Sequence, residues 1–516
     1  MIPGKKLTLA ALSLSLSAAI LCLPASAQLV LAPADAERYA QHSFPEYIEL
    51  LTLPNDAAVP ADIQRNADWL EKAFQKRGFT TQQLTNGDKP LVYAELGTPK
   101  ADRKTILFYM HFDGQPVNPT EWQTPPWQPV LKEKDAAGKW QTLPESRLLK
   151  GNINPEWRLF ARASADDKGP IVMFLAAMNA MKDKGVEPAV NIKVLLDSEE
   201  EKGSPGLTTV MADHLTLLKS DGMVIYDGAM PSGNRPGINF GNRGSIQIDM
   251  TVFGANAAAH SGGYGNVIPN PVQNLATLLA SMKDADGKVT IPGYYDRVTL
   301  SDSDKKQVAE TAPPAGALER RFGVARLENV ASNAAEAVQY PSLDILGIKA
   351  GDTGKKASNA IPSTATASVN IRTVPETPPD DMYALLRQYI ASKGFHIIAG
   401  EAPTQAEREQ YPHLISLSLT AYPSSAYAAR TEIDSPLGHW AVATTTAPRG
   451  IAPEKNRMMG GTLPMSGAVS VLKVPYVIVP LVNADNNQHS FDENLRLGNY
   501  LEGIRTIVAM ATTPLS

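Results

Sequence analysis

Histidine and carboxylate side chains follow several short apolar segments of the chain, and this combination is typical of metal chemistry. The groups are His111-Phe-Asp113, Asp166-Asp167, Glu199-Glu200-Glu201, Asp227 and His489. Imidazole and carboxylate are ligands that zinc and similar divalent cations prefer. Each group alone has a structural explanation, such as a helix cap, a turn or a solvent-exposed acidic stretch. Carboxylates crowded at one place, however, repel one another unless cations neutralise them, so the whole set predicts a metal site.

The apolar segments next to these groups are predicted to be buried strands. They cover residues 105–110, 191–196, 222–226 and 474–481, and helical patterns at 62–77 and 170–184 alternate with them. In open α/β sheets, functional groups collect beyond the carboxyl ends of the strands. The predicted fold class is therefore α/β, with an α/β/α catalytic domain whose mostly parallel sheet brings the groups together.

A second domain is predicted from a change of pattern near residue 245. Residues 245–252 alternate strictly between apolar and polar types, as a strand with one wet face does. The predicted catalytic domain comprises residues 28–244 and 426–516. It is interrupted at residues 245–425 by a smaller α+β domain.

The composition excludes several classes of protein. The 516 residues include 48 basic and 53 acidic side chains, so no basic excess indicates a nucleic-acid partner. A hydrophobic fraction of 43% excludes global disorder. The only cysteine is Cys22, which lies in a segment predicted to be removed, so a thiolate metal site and a cysteine nucleophile are excluded from the mature chain.

Residues 1–27 are predicted to be a secretory signal peptide. Lys5 and Lys6 precede an apolar run at 7–23, and the small-residue site Ala25-Ser26-Ala27 follows. Cleavage near Ala27 predicts a periplasmic or secreted enzyme. No later stretch is long and apolar enough to cross a bilayer, so the mature protein is predicted to have no membrane span.

The motifs together resemble a known enzyme family. They are His111-Phe-Asp113-Gly-Gln-Pro116, Ser164-Ala-Asp166-Asp167-Lys168-Gly169-Pro170, Glu200-Glu201-Lys202-Gly203-Ser204, Asp227 and His489, in an order that spans most of the chain. This pattern is similar to the cocatalytic zinc exopeptidases, the family of carboxypeptidase G, carnosinase-type cytosolic dipeptidases, aminoacylase and succinyl-diaminopimelate desuccinylase. Segments 341–347, 359–362 and 372–375 look closest to the dipeptidase branch.

The resemblance implies a centre of two divalent metal ions bridged by Asp166. One ion would also be held by His111 and Asp227, and the other by Glu201 and His489. Zinc is the metal expected first, with manganese or cobalt as alternatives, because these ligand types do not distinguish them. The family also has a cis peptide bond after the bridging aspartate.

Two acidic residues beside these ligands receive catalytic roles from the same resemblance. Asp113 would orient the ring of His111, as carboxylates commonly do for metal-bound imidazoles. The Lys-Gly-Ser sequence after the three glutamates sets the register, which makes Glu200 the general base and Glu201 the ligand. Glu199 is left without an assigned role.

The resemblance also predicts how the substrate is bound. His260 would stabilise the oxyanion, and in the family this histidine often comes from the other subunit of a dimer. Arg372 would bind the free carboxylate of the substrate, since a guanidinium can grip it with two hydrogen bonds. The remaining predicted contacts are Gly460, Gly461, Thr462 and Asn359. A surface role for His260 and a structural salt bridge for Arg372 are the alternatives.

The function predicted first is a metal-dependent exopeptidase for dipeptides or short peptides with a free C-terminal carboxylate. A water that bridges the metals would attack the amide, and Glu200 would move the proton. One alternative is an N-acyl-amino-acid amidohydrolase with the same centre, and a remote one is a non-catalytic binding protein on this scaffold. The predicted partners are the small substrate and a second subunit in a homodimer. The resemblance implies that the inserted domain at residues 245–425 serves as a lid or in dimerisation.

Overall fold

The computed structural model of the chain describes Met1 and residues 28–420 and 425–516. The strands of this part, in chain order, are β1 (Phe79–Leu84), β2 (Leu91–Leu96), β3 (Thr105–His111), β4 (Val130–Lys134), β5 (Trp140–Thr142), β6 (Arg158–Phe160), β7 (Asn191–Asp197), β8 (Gly222–Ile225), β9 (Gly237–Asn239), β10 (Gly241–Asn242), β11 (Gly244–Phe253), β12 (Ala259–His260), β13 (Ser342–Lys349), β14 (Ala360–Ile361), β15 (Thr364–Thr373), β16 (His396–Ile397), β17 (Leu414–Thr420), β18 (Ala429–Arg430), β19 (Glu454–Asn456), β20 (Tyr476–Ile478) and β21 (Asn494–Arg496). The α-helices are α1 (Pro33–Leu51), α2 (Pro60–Gln75), α3 (Lys168–Asp183), α4 (Leu207–Asp213), α5 (Leu215–Leu218), α6 (Ser261–Tyr264), α7 (Pro271–Ala280), α8 (Asp302–Ala309), α9 (Ala317–Phe322), α10 (Ala334–Ala337), α11 (Pro379–Ser392), α12 (Gln405–Gln410), α13 (Pro436–Thr446), α14 (Met465–Leu472) and α15 (Leu497–Thr512).

An eight-stranded sheet forms the centre of the larger domain. Its order is β1-β2-β7-β3-β8-β20-β9-β19, and the central strands β7, β3, β8 and β20 are parallel. Phe108 on β3 packs with α1, α2, α3 and α15 on one face, whereas Leu107 packs with α4 and α14 on the other. Because both faces are covered, these strands are apolar over most of their length.

The second sheet is antiparallel except at one edge and has one covered face. Its order is β13-β15-β11-β17-β16, and buried and partly exposed residues alternate along β11 and β15. Helices α7 and α11 supply the apolar side chains that cover the buried face. This alternation is the one that the sequence predicts for residues 245–252.

A third, four-stranded antiparallel sheet connects two distant parts of the chain. Its order is β21-β6-β4-β5, and Asn494 pairs with Phe160 across β21 and β6. The segment after β6 leads to Asp166, and the segment before β21 contains His489. This sheet therefore brings two of the predicted ligands to the same place.

The predicted α/β class with a mostly parallel sheet and a smaller inserted domain is confirmed. The domain limits at residues 244 and 426 stay predictions, although the five-stranded sheet lies between Gly244 and Thr420. None of the described helices combines the length and the apolar character that crossing a bilayer requires. Residues 2–27, on which the signal-peptide prediction rests, lie outside the described residues.

Candidate metal centre and active site

The carboxyl ends of three parallel strands bring the predicted residues together. His111 ends β3 and lies in register with Asp197, the last residue of β7. Glu200 and Glu201 start the short 3-10 helix that follows β7, and Asp227 comes two residues after β8. Since neighbouring parallel strands end at the same edge, these side chains share one site.

Two groups of potential ligands form there, and they share one aspartate. The first consists of His111, Asp166 and Asp227, and the second of Asp166, Glu201 and His489. In each group the ligand atoms lie within 4.8 Å of one another. The peptide bond between Asp166 and Asp167 is cis, as the resemblance predicts.

The spacing of these atoms fits divalent cations. Nε2 of His489 lies 3.0 Å from Oδ2 of Asp166 and 3.2 Å from Oε2 of Glu201. Nε2 of His111 lies 2.9 Å from Oδ1 of Asp166. Two ligands that bind one tetrahedral ion at about 2.0–2.1 Å are roughly 3.3 Å apart. Both the donor types and their separations therefore suit a pair of ions bridged by Asp166.

The pKa shifts of the buried carboxylates are also those expected at a cation site. Burial raises the pKa of Glu201 to about 7, and the neighbouring Asp166 carboxylate adds to the rise. Burial also raises the pKa of Asp227 to about 6. Burial opposes ionisation of Asp166 as well, but hydrogen bonds from His111 and His489 outweigh it and lower its pKa. The hydrogen bond to Asp166 raises the pKa of His489 to about 9. Cations would remove this dependence on protons because they neutralise the carboxylates directly.

Asp113 holds three parts of the site at once. Its Oδ1 lies 3.3 Å from Nδ1 of His111 and accepts a hydrogen bond from the backbone N–H of Glu200 at 3.0 Å. Its Oδ2 accepts from the N–H of Glu201 at 3.1 Å. A proton on Nδ1 of His111 leaves the Nε2 lone pair directed at the cluster, which is the arrangement that metal-bound histidines use.

The three consecutive glutamates have different surroundings. Glu199 forms an ion pair with Lys89 and accepts a hydrogen bond from Nδ2 of Asn86 at 3.0 Å. Both oxygens of its carboxylate therefore have partners within the protein. Glu201 belongs to the second ligand group. Burial raises the pKa of Glu200 well above its ordinary value, and the Asp227 carboxylate raises it further. These surroundings agree with the register set by the motif.

Arg372 and the 460–462 loop meet across the two domains. Nη1 of Arg372 donates to Oγ1 of Thr462 at 2.5 Å, and the carbonyl of Gly461 accepts from the N–H of Arg243 at 3.2 Å. In the part of the chain that the structure describes, no carboxylate forms a salt bridge with Arg372. Gly460 lies next to Val338. A Cβ atom at residue 460 would be 3.5 Å from the side chain of Val338.

His260 and Asn359 lie together, but apart from the metal ligands. His260 pairs with Ala360 across β12 and β14, and the carbonyl of Asn359 accepts from the N–H of Ser261 at 2.9 Å. Both residues are exposed. Within the described residues the structure gives His260 no contact with the ligand groups, and its Nδ1 accepts from the N–H of Gly262.

Three buried charged residues around the site receive no role in the sequence analysis. Asp197 accepts hydrogen bonds from Tyr109 and Ser204, and it supports the turn that carries the glutamates. Lys168 donates to the carbonyls of Leu50 and Leu53 and is fully buried. The third residue is Glu493. Strongly buried charges are expected to have partners, but the partners here are mostly backbone groups, which no sequence spacing marks.

Comparisons with known proteins define the class. Residues 107–513 match Peptidase family M20/M25/M40. The chain belongs to this family and is a metallopeptidase, a hydrolase that acts on peptide bonds. It is 26% identical over 494 residues to the Cys-Gly metallodipeptidase dug1 of Schizosaccharomyces pombe, covering 89% of this chain and 92% of that protein. It is 25% identical over 466 residues to the Beta-Ala-His dipeptidase of Mus musculus, covering 88% and 85%.

Solved structures of the family share the fold. An M20 family metallo-carboxypeptidase, Sso-CP2 from Sulfolobus solfataricus, has a TM-score of 0.71 at 24% identity and covers 91% of this chain and 98% of its own. Human carnosine dipeptidase 1 has a TM-score of 0.66 at 21% identity and covers 94% and 99%. The resemblance to this family, and to its dipeptidase branch, is confirmed.

The predicted periplasmic or secreted location is wrong in the light of these relatives. The Cys-Gly dipeptidases of yeasts, which match up to 90% of the chain, fall in the cytosolic dipeptidase branch that the motifs resemble. An apolar N-terminal run followed by small residues is a short and permissive pattern, whereas the likeness to these enzymes extends over most of the chain.

Proposed function

We propose that this metallopeptidase is a dipeptidase whose centre holds two zinc ions between His111, Asp227, Glu201 and His489, with Asp166 as the bridge. The observation that carries the proposal is the pair of ligand groups that share Asp166. The relatives support the substrate class, because their names describe dipeptidases for Cys-Gly and Beta-Ala-His.

Glu200 is the proposed general base. Held by His111, Asp166, Asp227, Glu201 and His489, two divalent ions would supply an activated water near neutral pH and would neutralise charge on the reacting carbonyl. The Glu200 carboxylate accepts a proton from the attacking water and returns it to the leaving amide nitrogen. Its backbone is tied to Asp113, which also contacts His111, so the base and one ligand keep a common position.

Arg372 is the proposed partner of the substrate carboxylate. Its guanidinium has the hydroxyl of Thr462 as a neighbour and no ion pair within the described residues, so it keeps donors available for an anion. The Gly460-Gly461-Thr462 loop would add backbone donors beside it. A free C-terminal carboxylate is the group that such an arrangement recognises.

A second copy of the chain is the proposed partner, paired along strand β13. This strand is at the edge of the five-stranded sheet. Ile345, Leu346 and Ile348 on it are 43%, 59% and 60% exposed. Edge strands of natural proteins seldom leave apolar residues open to solvent. Dimerisation would cover them, and it would allow His260 to act in the active site of the other subunit.

The decisive experiment compares substrates with purified protein that is loaded with zinc or manganese. Dipeptides such as Cys-Gly and Beta-Ala-His are assayed beside their N-acetyl analogues and beside dipeptide amides. A dipeptidase cleaves the free dipeptides, requires metal, and loses activity on the amides. Preferential cleavage of the N-acetyl compounds would instead favour the amidohydrolase, and activity that survives chelation would contradict the metal centre.

The variant Glu200→Gln tests the base in the same assay. Removal of a general base lowers kcat by about 10²- to 10⁴-fold, while the metal content should stay at that of the unchanged protein. A variant with full activity would refute the role of Glu200.

A further inference from the structure

Glu493 is a fully buried carboxylate that has no role in the site described above. Its side chain is 0% exposed, and burial raises its pKa. It comes four residues after His489, in the segment that leads into β21. A charge in this position needs several partners, since an unpaired buried carboxylate is very costly.

The partners of Glu493 are the backbone of the loop that carries Asp166. Oε1 accepts from the N–H of Ala165 at 2.8 Å and from the N–H of Asp166 at 2.9 Å. Oε2 accepts from the N–H of Ala163 at 2.9 Å and from Nη1 of Arg162 at 2.9 Å. Four donors therefore converge on one carboxylate, and three of them belong to the main chain.

This loop depends on Glu493 because of where it lies in the fold. It connects β6 with α3, and its N–H groups at residues 163, 165 and 166 bond to Glu493 instead of to a strand or a helix. Ala163 has a φ of 61°, which non-glycine residues adopt rarely. The charge-assisted bonds to Glu493 are about twice as strong as neutral ones, and they fix the N–H groups of Ala163, Ala165 and Asp166.

The same segment also joins the loop of Asp166 to the segment of His489. Arg162, besides its bond to Glu493, donates from Nη2 to the carbonyl of Ser490 at 3.0 Å. Ser490 follows His489 directly. The loop with the shared aspartate and the segment with the histidine of the second group are thus tied to each other through one ion pair.

We propose that Glu493 is a positioning residue for the dinuclear centre. It fixes the backbone of Asp166 so that both carboxylate oxygens face the two ligand groups, and it does so without touching an ion or the substrate. The inference rests on the proposed metal centre.

The test is the variant Glu493→Gln, with metal binding as the main readout. The amide puts an NH₂ group where two donors converge, whichever way it turns, and donors then face donors. Titration of the metal-free protein with Mn²⁺ should give an affinity lower by about 10- to 100-fold, as for other residues that orient ligands. At saturating Mn²⁺, kcat on a dipeptide should recover more than half of its value, with KM unchanged.

Two further variants make the result specific. Glu502→Gln on α15 removes a carboxylate that pairs with Arg449 and with Arg505, and it should leave Mn²⁺ affinity unchanged. Arg162→Lys keeps the three main-chain bonds to Glu493, so it should lower the affinity less than Glu493→Gln does. If Glu493→Gln does not fold, the Mn²⁺ affinity of Arg162→Lys tests the proposal instead.

The outcomes separate this inference from the proposed function. Failure of the wild-type protein to bind Mn²⁺ would overturn the metal centre itself. If the wild-type protein binds Mn²⁺ and folded Glu493→Gln binds it with equal affinity, only the positioning role would be overturned. A lower unfolding temperature with equal Mn²⁺ affinity would also overturn it, because Glu493 would then act on stability alone.

Discussion

The replacement of Asp113 by asparagine tests whether one buried carboxylate organises the base and the ligands. Asp113 is 0% exposed and interacts with Nδ1 of His111 and with the backbone N–H groups of Glu200 and Glu201. Asparagine keeps the shape but replaces one oxygen with a donor. The least harmful orientation keeps oxygen toward His111 and Glu200 and leaves the N–H of Glu201 facing an NH₂ group.

The size of the effect follows from the one N–H group, that of Glu201, which the asparagine variant leaves without an acceptor. One buried donor left without an acceptor costs about 1–3 kcal/mol. Because roughly 1.4 kcal/mol corresponds to a factor of ten, kcat/KM should fall about 5- to 150-fold. Loss of the negative charge also weakens the bond that orients His111, so the affinity for metal should fall together with kcat/KM.

The assay measures kcat and KM on a dipeptide over a range of Zn²⁺ concentrations, with metal affinity determined separately. Asp434→Asn is a matched control, because Asp434 lies 3.7 Å from His439 in an exposed pair of the same two residue types. We expect no change in that variant. If folded Asp113→Asn kept its kcat/KM and its metal affinity within twofold, the argument that Asp113 organises the site would be refuted.

Three other predictions concern the substrate, the dimer and the metal-free protein. Arg372→Lys should raise KM for dipeptides about 10-fold or more, since lysine loses the two-pronged contact, and it should not lower further the residual rate on dipeptide amides. An unchanged KM for dipeptides would exclude the carboxylate contact. Leu346→Lys should turn dimers into monomers in light scattering, and it should lower kcat by removing His260 of the second copy. A wild-type protein that is monomeric in light scattering would exclude the dimer. The raised pKa of Glu201, about 7, and of His489, about 9, mean that folded metal-free protein binds more protons than the unfolded chain between roughly pH 4.5 and 9. Its unfolding temperature should therefore fall as the pH rises through that range, and saturating Zn²⁺ should suppress the fall; a rise with pH would contradict the charge balance.

Parts of the site were predictable because simple physical rules mark them in the chain. His111 and Asp227 follow apolar segments that can only be buried strands, and parallel strands bring their carboxyl ends to one edge. The N-terminal residues were a weaker guide, because a short apolar run with small residues after it occurs in many contexts. The location inferred from them was wrong, while the family inferred from the motifs was right.

The amino-acid sequence by itself determined the ligand types, their order and the alternation of strands and helices, because these depend on side-chain chemistry and on local periodicity. Only the tertiary structure decided that Glu493 holds the loop of Asp166, that Asp113 also accepts from the backbone of Glu200 and Glu201, and that Arg372 donates to the hydroxyl of Thr462. These contacts join a side chain to backbone groups or to residues far along the chain. Backbone groups are alike in every residue, so no sequence pattern reveals which of them a buried carboxylate will bind.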